Sequence, residues 1–156
     1  MGRWRDHLKA DPLPYLLGCD SEAINYWALR DLQGEDVGPP AVLWSLPVVR
    51  EILLKQQADG SWRYPGGHKD FRTRESYDQL ETFRQMGELV AKFGFTREHP
   101  AVAKAAEHLF TFQSDEGDFR GIYGSQYATT YHGAIMEVLI KAGYADDPRI
   151  DRGFRK

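Results

Sequence analysis

The chain reads as all-α, built from tandem helical hairpins laid side by side. Two stretches, Gln56-Gln57-Ala58-Asp59-Gly60-Ser61-Trp62 and Gln113-Ser114-Asp115-Glu116-Gly117-Asp118-Phe119, each close an apolar helix with Gln, an acidic-Gly turn and an aromatic ring. Pro47, Pro100 and Pro148 recur at comparable intervals, each opening an apolar-periodic segment. Gly94-Phe95 and Gly143-Tyr144 end segments of a second kind, each with one of those prolines shortly after. No stretch shows the alternation of a half-buried strand, so the repeats define an array of one helical unit.

The first helix is expected over about 22–33. Asp20 or Ser21 caps it, Ile24, Trp27, Ala28 and Leu32 form its face, and Gly34 ends it. A loop through Gly38-Pro39-Pro40 leads to a helix over 47–57, opened by Pro47 and striped by Val48, Val49, Ile52 and Leu53. Residues 63–76 are polar and carry Gly66-Gly67, so they read as an exposed loop. Ser76-Tyr77-Asp78-Gln79 has the form of a capping box. The helix behind it, 77–93, carries Leu80, Phe83, Met86, Val90 and Phe93 at spacings of three and four. Pro100 starts a helix over 100–113, and Ser125 is expected to cap another over 126–142 that ends at Gly143. The stretch from Trp62 to Gly94 is longer than that from Phe119 to Gly143. The excess falls in the 63–76 loop, where insertions are tolerated best.

Residues 1–19 read as an N-terminal arm and 20–156 as an incomplete repeat domain. Pro148 to Phe154 begins a third hairpin, and no Gln-Gly-aromatic ending follows before Lys156. A helix with an unmet apolar face needs a partner. The expectation is further repeats beyond the C-terminus or self-association.

Composition excludes some classes. A net charge of −3 gives no electrostatic case for nucleic acid. No transmembrane segment is expected, because no apolar run is long enough, and the basic start Arg3-Trp4-Arg5 reads as a frayed or docking terminus. The single cysteine, Cys19, fits a reducing, cytoplasmic setting. Aromatic residues reach 13%, enough for large packed surfaces or an apolar cavity.

Gln57-Ala58-Asp59-Gly60-Ser61-Trp62 resembles the Gln-Trp repeat of squalene–hopene and oxidosqualene cyclases. Residues 143–148, Gly-aromatic followed by Asp-Asp-Pro, are similar to the hairpin connection of those cyclases and of protein prenyltransferase β subunits. Gln113 to Phe119 looks like a degenerate second copy, one residue longer, with Phe119 in place of Trp. The resemblance covers about residues 47–154. It implies part of an α/α toroid, with the Gln amide and the ring tying helix ends together around an apolar cavity that holds isoprenoid chains.

The catalytic signatures of that family are missing. The acid motif Asp-x-Asp-Asp does not occur; Asp115-Glu116-x-Asp118 comes nearest but lies in a turn. The histidines His7, His68, His99, His108 and His132 show no ligand spacing, and Cys19 lies outside the zinc motif, so no metal and no cofactor are expected. By analogy with the toroid, the helices after each Gln-aromatic element line the cavity. That makes Trp27, Arg30, Tyr77, Asp78, Glu81, Tyr127, Tyr131 and His132 the candidate ligand-binding residues. Aromatic faces suit apolar chains or cations, and His132 beside a carboxylate suits acid–base work. The bland reading of the same residues is an aromatic core. The favoured function is a prenyltransferase/squalene-cyclase-like repeat module, without a recognisable catalytic motif, that binds an isoprenoid, another apolar ligand or a partner on its concave side. Two alternatives are a fragment of an isoprenoid cyclase or transferase, and a lyase-like α/α-toroid enzyme acting on carbohydrate.

Overall fold

Left-handed glycines end two long segments in the same manner. In the computed structural model, which describes residues 7–67 and 73–155, the N–H groups of Gly34 and Glu35 both reach the Leu29 carbonyl, and those of Gly94 and Phe95 both reach that of Leu89. The chain is 60% helical with no strand among the described residues, as the sequence predicts.

A short helix α1 (Leu13–Leu17) precedes α2 (Glu22–Trp27), which continues as a wide π-type turn over Ala28–Gln33. A 3-10 helix (Pro40–Ser45) leads into α3 (Pro47–Leu54). Then come α4 (Arg74–Phe93), α5 (Pro100–Phe110), α6 (Thr129–Leu139) with a π-type continuation Ile140–Tyr144, and α7 (Pro148–Phe154). Helices α2, α4 and α6 make one row; α3, α5 and α7, each opened by proline, make the second.

Two expected helix starts are corrected. Thr73, not Ser76, caps α4: its hydroxyl accepts the Ser76 N–H, so the helix begins at Arg74 and not at Tyr77. Ser125 caps nothing; residues 126–128 stay outside the helix, and α6 starts at Thr129 behind Ala128. The arm also contains structure, since it holds α1, whose first residue Leu13 is buried. Of the loops, residues 68–72 and the basic start lie outside the described residues.

The Gln-aromatic element is where the repeat is most exact, and its register differs from the expected one. The pairing glutamine is Gln56, not Gln57: Gln56 bridges to Trp62, and Gln113 bridges to Phe119. The second copy is therefore the same length as the first. Gln56 Nε2 donates to the carbonyls of Gly60 (3.0 Å) and Ala101 (2.8 Å). Gln113 Nε2 donates to those of Gly117 (2.8 Å) and Arg149 (2.7 Å). Each amide thus closes its own turn and grips a carbonyl in the first turn of the next second-row helix, adding to the hydrogen bond that carbonyl accepts within its own helix. Gly60 has φ 88° and Gly117 φ 98°. A methyl at either would collide with a backbone carbonyl, that of Lys104 or that of Arg152.

Between the rows lies the core. Val49 of α3, Met86 and Leu89 of α4, Val102 and Leu109 of α5, Leu139 of α6 and Ile150 of α7 are all buried. Each such side chain contributes about 1.5–3 kcal/mol of burial. The end of α4 is closed by two indoles from earlier in the chain: Trp27 Nε1 donates to the Lys92 carbonyl (2.7 Å), and Trp44 Nε1 to that of Phe93 (3.1 Å). These satisfy carbonyls that the helix itself leaves without donors. On the second row Arg149 binds Glu107 (2.7 Å) and Asp147 (2.8 Å) and lies 3.6 Å over the Phe110 ring, pinning α7 to α5.

Candidate functional site

The eight candidate residues do not converge; the fold divides them among three places. Trp27 and Arg30 sit where the three first-row helices end. The Arg30 guanidinium stacks 4.0 Å from the Trp27 ring, and its Nε binds Asp31 at 2.6 Å, which raises the guanidinium pKa further. These residues line a groove of about 570 Å³ together with Pro40, Val90, Ala91, Gly94, Phe95, Thr96 and Lys141. Lys141 is itself bonded to Glu137 at 2.6 Å. The groove therefore has an apolar floor from α4 and balanced charge pairs at its sides.

Tyr77 and Asp78 lie at the opposite end of α4. The Asp78 carboxylate accepts the Tyr64 N–H at 2.8 Å, one turn before Thr82 Oγ1 accepts that of Trp62 at 3.0 Å. Together they fasten the strand-like exit of the first Gln-aromatic element onto α4. Tyr77 is buried with its ring 5.0 Å from that of Tyr64. Glu81, only 5% exposed, accepts from Gln85 Nε2 at 2.6 Å and lies 3.5 Å from Arg84.

The third group belongs to α6 and the segment before it. Tyr131 packs against Tyr123 (5.1 Å) and Phe83 (6.4 Å), and Tyr127 stands 5.8 Å from His132. His132 is buried and spends both nitrogens on the backbone. Nδ1 accepts the Phe119 N–H at 3.3 Å, and Nε2 lies 3.1 Å from the Gly153 carbonyl. A carbonyl only accepts, so the Nε2 proton points at Gly153 in this network. Among the described residues no carboxylate is bonded to it.

The acidic turn is equally committed. Asp118 is buried, accepts from Ser114 Oγ at 2.5 Å and from Arg120 Nε at 2.7 Å, and its carboxyl is held down at about 2 by the Arg120 guanidinium foremost. It is ionised at neutral pH, the opposite of what an alkene-protonating acid requires. Cys19 donates its thiol to the Leu16 carbonyl at 3.0 Å. Among the described residues no group of three or more His, Cys, Asp or Glu is arranged to hold a metal ion.

Of the residues lining this groove, the sequence reading named Trp27 and Arg30 as candidates and did not name Val90, Ala91 and Lys141. Their signal was present: each sits in the last turns before a closing glycine, Gly94 or Gly143, as Arg30 and Asp31 do before Gly34. No family model, no curated protein and no solved structure matches this chain.

Proposed function

We infer that this chain is a non-catalytic helical-hairpin module, of the terpenoid-cyclase and prenyltransferase repeat type, that binds an apolar ligand of isoprenoid character. The ligand lies in the groove at the shared end of the first-row helices. One observation carries the reading: the acid–base candidates are engaged in holding the fold, while Trp27 and Arg30 border a groove large enough for a small ligand. Asp78, Glu81, Asp118 and His132 are bonded to backbone or to neighbouring side chains. The Trp27 ring, Val90 and Ala91 supply apolar contact, and Arg30 and Lys141 offer donors to a polar head.

The carbohydrate reading calls for Tyr131, His132 and an arginine around an open polar cleft. His132 is instead buried between Phe119 and Gly153, so that reading gains no support.

The experiment is a titration of the chain with a prenyl alcohol, followed by tryptophan emission. Saturable binding is expected, weakened roughly tenfold or more (about 1.4 kcal/mol) by Ala91→Arg, which fills the groove from an exposed position. An absence of saturation in the native chain, or equal affinity in the variant, contradicts the reading.

A further inference from the structure

The two second-row helices that receive the Gln clasps are capped in the same register. Asp147 Oδ1 accepts the Arg149 N–H at 2.8 Å, and Gln113 Nε2 donates to the Arg149 carbonyl. His99 Nδ1 accepts the Ala101 N–H at 3.2 Å, and Gln56 Nε2 donates to the Ala101 carbonyl. Each cap stands just before the proline that opens its helix. Among the described helices the side-chain caps are Ser21, Thr73, His99 and Asp147. Of these residue types only histidine ordinarily changes charge between about pH 5 and 8.

The His99 cap needs a neutral ring. Nδ1 accepts through its lone pair, whereas an imidazolium donates from both nitrogens. Protonation therefore breaks the bond to Ala101 and puts a positive charge at the positive end of the α5 dipole. No acidic residue in the first turn of α5 offsets it. The 3-10 helix that packs on the ring through Trp44 carries no titratable group. Arg97 and Glu98 precede the ring in the turn, and Arg97 is bonded to Asp146 at 2.8 Å; on α5 the nearest charged residue in sequence is Lys104. Burial pushes the imidazole pKa below the ordinary histidine value. The stability that the neutral cap contributes is thus whole above that ordinary value and is lost as pH falls through the lowered one.

The same ring braces the groove wall. His99 packs on Phe95 (4.6 Å) and Trp44 (5.4 Å), and those two rings pack on each other (4.7 Å). Phe95 and Thr96 line the groove with Trp27 and Lys141, and the Thr96 carbonyl accepts the His99 N–H at 3.0 Å. We propose that His99 is a proton-operated latch: the neutral ring holds α5, the 95–99 turn and the groove wall together, and the charged ring releases them. On the reading of this groove as the ligand site, it holds its apolar guest near neutral pH and gives it up in mild acid. Asp147 keeps its cap over the same range, because Arg149 holds its carboxyl below the ordinary carboxylate value.

Nuclear magnetic resonance on the full chain from about pH 7.5 to about pH 5 reads the latch, well short of the acidity at which Asp118 titrates. The Ala101 amide is expected to shift with the His99 ring and to lose protection from exchange, while the Arg149 amide does neither. His99→Asn caps without titrating, and His99→Asp repeats the cap of the second hairpin; in both, the Ala101 amide should hold still. In the same samples the affinity for a prenyl alcohol is expected to fall about fivefold or more in the native chain and to stay level in the variants. An Ala101 amide that ignores the His99 titration, or follows the same curve in the variants, overturns the latch. So does saturable binding that is equally tight at both ends of the range in the native chain. A lack of saturable binding at about pH 7.5 counts against the ligand reading instead, and the amide response alone then upholds or overturns the latch.

Discussion

His132 holds Phe119 as Thr82 holds Trp62: in each hairpin a side chain of the first-row helix, in the first turn of α6 and the third turn of α4, accepts the N–H of the aromatic residue that ends the Gln turn. The two side chains differ in reach. Thr82 stops at that bond and at the Asp78 carbonyl within its own helix, whereas His132 extends through Nε2 to Gly153 of α7.

His132→Ala therefore loses two buried bonds and opens a cavity, and is expected to cost about 2–4 kcal/mol. His132→Thr restores the first bond only and should recover about 1 kcal/mol of that loss. Urea unfolding of both variants checks this. Equal stabilities would show that the Phe119 bond contributes nothing.

Replacing Gly60 or Gly117 by alanine forces a left-handed residue with a Cβ into a neighbouring carbonyl. Each change is expected to destabilise by about 2–3 kcal/mol. Gly133→Ala, on an exposed helical face with open space around it, is expected to be neutral or stabilising by up to about 1 kcal/mol. Thermal melts of the three variants separate these outcomes.

Asp118 links stability to acid. Its carboxyl is lowered from 3.8 to about 2 by Arg120, then Ser114. Its stabilising contribution is thus whole above the ordinary carboxylate range and is lost as pH falls from about 4 through about 2. Asp118→Asn lacks the titration. The stability difference between the native chain and Asp118→Asn should be constant at neutral pH, shrink below about pH 4 and level off only below about pH 2. A difference that does not change with pH over that window contradicts the assignment.

Much of the fold was legible because it rests on punctuation with a physical cause. Pro47, Pro100 and Pro148 stand at first helical positions, and Gly34, Gly94 and Gly143 take up positive φ. Helix starts were less legible. Thr73 and Ser76 are both capable caps three residues apart, and nothing local says which one the chain uses. The wide turns Ala28–Gln33 and Ile140–Tyr144 shift the apolar periodicity by a residue and leave no mark of their own. The Gln register was missed because two glutamines adjoin at 56–57, and only the partner, the Ala101 carbonyl, decides between them. For the site, aromatic composition pointed at Tyr77 and Tyr131, but composition cannot separate a ring packed on another ring from one that faces a groove.

The central claim is that identical amide clasps, Gln56 to Ala101 and Gln113 to Arg149, join successive hairpins into one array. Unfolding free energies of Gln56→Ala, Gln57→Ala and Gln113→Ala measure it in a single experiment. Gln56→Ala and Gln113→Ala should each lose about 1–3 kcal/mol, because each removes two hydrogen bonds and takes the side-chain donor from the buried Gly60 or Gly117 carbonyl, while Gln57→Ala should stay within about 0.5 kcal/mol of the native chain. A loss confined to Gln57→Ala, or no loss in any of the three, would contradict the array as described.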